Sequence, residues 1–255
     1  MFKPPLVFKT YQDVKNNLVY WTLVVLLVST GVIYLVVLNP TQKQVVDAFV
    51  TSLGMNGFVS ALAGAFVIAI YGIIAIGLIY GIQIHDIVYD RLIIKWRERF
   101  DIEFILARLT EPIKQFLPKN FTDYATRYRY EFMKPYYGFV GDGKKGIEEN
   151  TRIRFYERVT WYWFTQINEI LILVFLLIVP VYVIAYSGSS MTTSNLAVFM
   201  LVLVALGLMN RWFIRLTLKA TAQATLDEIE EILTKQENIQ SLKERYIQLC
   251  SSYKI

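Results

Sequence analysis

Residues 58–82 read FVSALAGAFVIAIYGIIAIGLIYGI, a run of 25 positions without a charge. A helix rises about 1.5 Å per residue, so about 20 mostly apolar residues cross the roughly 30 Å hydrocarbon core of a bilayer. This run is long enough to cross with some tilt. It is also rich in small residues: Ser60, Gly64, Gly72, Gly77 and Gly81, with Ala61, Ala65 and Ala69 among them. Small side chains let backbones approach closely where lipid leaves no hydrophobic force between helices, and Gly77-x-x-x-Gly81 is the explicit motif of such contacts. Gly64, Gly72, Gly77 and Gly81 are therefore the candidate helix-packing or pore residues.

Three further stretches qualify as spans. Residues 18–38 are uncharged, and residues 170–186 are uncharged and interrupted only by Pro180. Residues 196–209 are apolar but short; the uncharged 191–195 before them and Trp212, Phe213 and Ile214 after them complete the crossing. The first span follows a polar arm and exceeds the roughly 7–15 residues of a signal-peptide core, so it is expected to be retained.

Orientation follows from charge. Of the 26 Lys and Arg residues, only Lys43 falls in the two connections 39–57 and 187–195. The others lie in the arm 1–17, the segment 83–169 and the tail from Asn210 onward, which the positive-inside rule places in the cytoplasm. Trp21, Trp161, Trp163 and Trp212 cluster at that same interface, where aromatic belts sit. The excess of Lys and Arg is thus an orientation signal, with anionic headgroups rather than nucleic acid as its expected partner.

Composition agrees. The chain is 55% hydrophobic and 18% charged, against about a quarter charged in soluble proteins. Cys250 is the one cysteine, which excludes an intrachain disulfide and a cysteine zinc site. His85 is the one histidine, which excludes a poly-histidine metal centre. No catalytic spacing of Ser-His-Asp, Cys-His, paired-carboxylate or metalloprotease type is present, so neither an enzyme nor a cofactor is expected.

The expected fold is an all-α integral membrane protein with this plan: a cytoplasmic arm 1–17, a first hairpin 18–82, a helical cytoplasmic insert 83–169, a second hairpin 170–217 and an amphipathic C-terminal helix 218–255. Between the first two spans, Asn39 and Pro40 start an amphipathic helix near 40–53 that suits the outer surface. Ile84, Val88, Leu92, Trp96 and Phe100 continue the second span at i, i+4, which predicts one helix from about Phe58 to Leu109, broken before Pro112. Thr122 is placed to cap a short helix bounded by Pro135, and Gly138, Gly141, Gly143 and Gly146 mark a loop. Leu226, Ile229, Leu233, Ile239, Leu242, Tyr246 and Leu249 form an apolar stripe broken at Gln236, suited equally to a coiled coil with a protein partner and to packing on the chain's own helices.

Four constellations compete for chemistry. Gly138 to Lys145 matches the phosphate-loop pattern G-x-x-x-x-G-K, but Lys145 stands where a magnesium-binding Ser or Thr belongs and no buried strand precedes it, so a cationic loop is expected. His85, Asp86 and Asp90 offer ligands for a cation but suit ordinary surface pairs better, so no metal is expected. Arg127-Tyr128-Arg129-Tyr130 interleaves cations with aromatics, a pattern that a helix face with snorkelling stems explains without nucleic acid. Glu169 and Arg211 reach similar depth in an antiparallel hairpin turned near Met191, and ionisable groups there should pair. They are the candidate intramembrane ion pair.

In topology alone, two spans, a helical insert, two spans and a tail resemble flagellar-motor stator subunits and four-span membrane effectors of bacterial defence systems; no motif accompanies the likeness. The expected function is a self-associating channel or pore-forming protein of the cell membrane, with both termini cytoplasmic and cytoplasmic helices that gate or sense. The alternative is a non-conducting scaffold or accessory subunit of a larger membrane complex.

Overall fold

The computed structural model describes residues 7–32, 69–83, 99–141, 146–185 and 193–253, with Gln44 and Ala48 as isolated helical positions. The amphipathic segment expected near 40–53, Gly64, and the group of His85, Asp86 and Asp90 lie outside the described residues. Every element among the described residues is helical. In chain order they are α1 (Tyr11–Val32), α2 (Ala69–Gly81), and α3, which is π-helical over Phe100–Leu106 and α-helical over Ala107–Thr110. A 3-10 turn (Glu111–Phe116), α4 (Phe121–Arg127) and α5 (Arg129–Val140) follow. The chain ends in α6 (Glu149–Ala185), α7 (Thr193–Thr234) and α8 (Gln236–Ser252). The described residues form two compact units, one drawn from 15–84 and 162–216, the other from 6–14, 85–161 and 217–255.

The first unit contains two antiparallel helix pairs. In the α1–α2 pair, the Thr30 and Tyr71 hydroxyls share a 2.5 Å hydrogen bond near one end, and Tyr80 donates to Asn16 Oδ1 at 2.7 Å near the other. Leu18, Ala75 and Ile79 are buried. In the α6–α7 pair, a methyl added at Gly207 would meet Ile172 Cγ2 at 3.6 Å, ordinary van der Waals contact. Trp21 of α1 and Phe164 of α6 approach to 5.9 Å between ring centroids.

The expected continuous helix from Phe58 to Leu109 is not what forms. α2 widens into a π-turn over Gly77–Gly81, where Ile82 N–H bonds to the Gly77 carbonyl at 2.8 Å. Gln83 then takes a φ of 51°, the left-handed region that a non-glycine side chain rarely adopts inside a helix. Hydrophobic spacing carries through this point in the sequence, but the two glycines bracketing the turn offer no side-chain packing to hold α-helical pitch.

The second unit has its own core. Ile102, Ile105, Leu109 and Ile113 recur at helical spacing through α3 and the 3-10 turn. They join Phe121, Phe132, Met133, Tyr136 and Phe139 from α4 and α5, and Ile229, Ile232, Leu242 and Tyr246 from α7 and α8. Phe121 packs edge-on against both Phe132 (5.4 Å) and Tyr246 (5.6 Å), and the Tyr246 hydroxyl donates to the Phe132 carbonyl at 3.1 Å. The C-terminal stripe is thus buried inside this unit, with Ile239 and Leu249 packed against the same core. The helix break falls at Lys235, whose ψ of 115° separates α7 from α8.

Pro135 does not bound a helix; it lies buried inside α5. Its lost N–H bond is tolerated because the ring itself fills core space. The boundary falls instead at Tyr128, whose φ of −116° and ψ of 40° separate α4 from α5, and α4 starts without a side-chain cap. Gly138, expected in a loop, is helical within α5, and Gly141 closes that helix in an extended conformation. Gly146 sits against Phe139 so closely that a methyl group would lie 2.7 Å from its Cα, Cβ and carbonyl oxygen. Backbone cannot yield there as a flexible side chain can. Gly146→Ala should therefore destabilise the protein by about 1–2 kcal/mol in denaturant unfolding, whereas Gly31→Ala, in open space, should not.

Candidate functional site

Two buried polar networks stand out, one in each unit. In the first unit, Asn210 of α7 is buried and its Nδ2 donates both to the Thr165 carbonyl of α6 and to Glu169 Oε2, each at 2.9 Å. The next residue, Arg211, donates from Nε to Glu169 Oε1 at 2.9 Å. Both carboxylate oxygens are therefore engaged. Glu169 is 15% exposed at its side chain and Arg211 is 70% exposed, so the acid is held and the guanidinium faces outward. Counting residues from the outer turn predicts the meeting of Glu169 with Arg211 but not Asn210 as the keystone between Glu169 and the α6 backbone.

In the second unit, the acidic run of α7 grips the start of α6. Glu231 Oε1 accepts the backbone N–H of Glu148, which supplies an acceptor for a donor just before the helix start. Arg154 Nη1 donates to Asp227 Oδ2 at 3.0 Å. Between these contacts Glu228 is wholly buried, its Oε2 accepting from the Tyr136 hydroxyl at 2.5 Å. Its Oε1 has no hydrogen-bond partner among the described residues. Burial pushes the Glu228 carboxyl up to about 8, against the opposing pull of the Tyr136 hydrogen bond and of Arg152, with Glu231 and Asp227 adding to the rise. Burial and then Glu228 itself hold the Tyr136 phenol well above its usual range.

This network was missed because the run Asp227-Glu228-Glu230-Glu231 reads as solvated charge at a helix end. A signal was present: Glu228 follows Thr221 and Thr225 and precedes Ile232 at spacings of four, three and four, so it shares their buried face.

The remaining candidates lie apart from these two networks. Gly72, Gly77 and Gly81 lie on α2, and a methyl at any of them would meet no atom within 4 Å among the described residues. The phosphate-loop pattern has a helix where a strand is needed, with Gly138 covered by the Arg245 guanidinium. In the Arg-Tyr run, Tyr128 packs on Tyr253 at 4.5 Å and Arg129 pairs with buried Asp101 at 3.5 Å, so both serve the core. Among the described residues no group of three His, Cys, Asp or Glu side chains is arranged to hold a metal.

Two helices are long and apolar enough to cross a membrane: α6 over Glu149–Val181 and α7 over Leu196–Thr234. Only 22% and 11% of their apolar windows are buried. Leu173, Leu177 and Val181 of α6, and Val198, Leu201 and Leu208 of α7, are exposed, with Leu177 and Leu201 each at 71%. A soluble core helix buries such residues. Fold and site together define an all-helical protein with two candidate membrane-spanning helices. The model of the YmfE protein family matches residues 10–240, and the chain belongs to that family. No curated protein and no solved structure matches it.

Proposed function

We propose that this protein is a self-associating, four-span protein of the cell membrane, of channel or pore-forming type, with both termini and the α3–α5 and α8 helices in the cytoplasm. The observation that carries the reading is the Gly77 and Gly81 pair of α2, where, as at Gly72 further round this uncharged helix, an added methyl would meet no described atom within 4 Å. Small residues facing lipid gain nothing from lacking a side chain, whereas the same residues admit a second helix at close range. The apolar surfaces of α6 and α7 suit lipid. The second unit, with its own aromatic core, suits a sensing or gating element. A non-conducting scaffold is the second reading, favoured by the fact that the same glycine pair serves a foreign helix equally well.

The test is Gly77→Leu. Added volume at a close helix contact should lower the mass of the complex in mild detergent while the monomer stays membrane-inserted. Gly72→Leu should reduce ion flux in liposomes if this helix lines the conduit, because side-chain volume narrows an apolar constriction. A complex that contains an obligate foreign subunit, with flux no greater than protein-free liposomes, would establish the scaffold reading. An unchanged homo-oligomer in Gly77→Leu would remove α2 from the interface.

A further inference from the structure

At the end of its apolar stretch α7 carries Arg211 and Arg215, one helical turn apart, on a helix that exposes Leu208, Met209, Trp212, Phe213 and Leu216 around them. Exposed aromatic and aliphatic side chains surrounding cations, on a helix apolar enough to cross a bilayer, match the chemistry of the interfacial layer, where acyl chains give way to phosphates.

The two arginines differ in how they are held. Arg211 is fixed: its Nε is bound by Glu169, Glu169 is bound by Asn210, and Asn210 is tied to the α6 backbone. A guanidinium has five N–H donors, and this contact uses one, so an oriented group 70% exposed keeps its remaining donors. Arg215 is exposed and makes no hydrogen bond or ion pair with another described residue. Moreover, no Asp or Glu occurs between Glu169 and Asp227, so no nearby acid on α7 competes for Arg215. Trp212 lies between the two, 56% exposed, with its ring edge-on to Phe213 at 5.1 Å.

We infer that Arg211 and Arg215, with Trp212, form a binding site for the phosphate of an anionic phospholipid. The Arg211 guanidinium, preoriented by Glu169, and the Arg215 guanidinium one turn along donate to the phosphodiester oxygens from two sides. The indole takes the glycerol region, and Leu208 takes the start of an acyl chain. Arginine suits this role because its planar fork presents paired donors to a tetrahedral oxyanion. The site rests on the membrane reading above and adds to it a lipid of defined charge.

The experiment uses the full chain purified in a neutral maltoside detergent. Dioctanoyl phosphatidylglycerol, dioctanoyl phosphatidylcholine and inorganic phosphate are titrated separately, with thermal stability and native mass as readouts. Phosphatidylglycerol should raise the melting temperature saturably and appear as a bound adduct, while the other two should do neither. Arg215→Gln should weaken phosphatidylglycerol binding at least ten-fold without lowering the melting temperature in detergent alone, since Arg215 makes no hydrogen bond or ion pair with another described residue. Arg215→Lys should recover part of it, retaining charge but losing the fork. Equal responses to the two lipids would overturn the proposal, as would a response to inorganic phosphate alone, or full phosphatidylglycerol binding by Arg215→Gln. Alkaline carbonate extraction separates the two claims. Release of the protein from membranes overturns the membrane reading itself, whereas retention with no preference for phosphatidylglycerol overturns the headgroup site alone.

Discussion

Glu228→Gln should stabilise the protein by about 3–5 kcal/mol at pH 9 and by less than about 1 kcal/mol at pH 5. The sign follows from linkage. Burial raises the folded carboxyl to about 8, above its ordinary value of 4.5. The folded state therefore holds a proton that the unfolded chain releases, and this contribution to stability is complete below pH 4.5. It is lost progressively as pH rises through about 8, where the carboxylate must ionise in place. Glutamine has no proton to lose, keeps an oxygen for the Tyr136 hydroxyl, and should show no such decline. Three charged groups and one neutral phenol surround the site: Arg152 favours the ionised form, Glu231 and Asp227 oppose it, and Tyr136 donates its hydroxyl to the carboxyl. Thermal unfolding of both proteins in detergent from pH 5 to 9 measures the divergence. Parallel curves would mean that Glu228 already carries its charge in the folded protein, stabilised by Arg152.

Comparable stabilisation is not expected from Glu231→Gln or Asp227→Asn at the neighbouring acids. Glu231 and Asp227 act as charged acceptors for the Glu148 N–H and for Arg154, so their neutralisation should cost stability or leave it unchanged. The three carboxylates share one helix and almost one stretch of sequence, yet side-chain direction gives them opposite roles. That separation is invisible in composition and requires knowing which face of α7 meets α5 and α6.

The same contrast decides how much of the molecule could be read from sequence. Helical character and the long apolar stretches at 170–186 and 196–209 were legible because charge is absent over lengths that secondary structure cannot disguise. The register of Glu169 with Arg211 was legible because an antiparallel hairpin fixes it by counting alone. The end of α2 was not, because Ile84, Val88 and Leu92 sustain helical spacing beyond a turn where Gln83 reverses its backbone sign. Pro135 signals a boundary by its local cost alone, and the core that its ring fills overrides that signal. The C-terminal stripe left two partners open, and only the positions of Phe121 and Phe132 around Tyr246 decide in favour of the chain's own core. Local rules described the elements well; they failed where tertiary packing outweighed them.

Glu169→Ala should destabilise the protein by about 3 kcal/mol, and the loss should reach beyond the ion pair itself. Two donors lose a partner by this single change: Arg211 Nε, which faces outward and recovers water, and Asn210 Nδ2, which is buried and keeps only the Thr165 carbonyl. Because Arg211 is 70% exposed, most of the penalty should come from Asn210 and little from the salt bridge. Arg211→Ala alone should therefore cost well under half as much as Glu169→Ala, since the Asn210 bonds to Glu169 and Thr165 survive. The double change should cost less than the two single losses added together, by about 1 kcal/mol, the coupling expected of side chains in one network. Asn210→Ala provides the decisive comparison. If Asn210 is the keystone, its loss should match that of Glu169→Ala, and adding Arg211→Ala should then be nearly additive to it. A larger loss from Arg211→Ala than from Asn210→Ala, measured by thermal unfolding in the same detergent, would place the stabilisation in the charge pair and make the amide incidental.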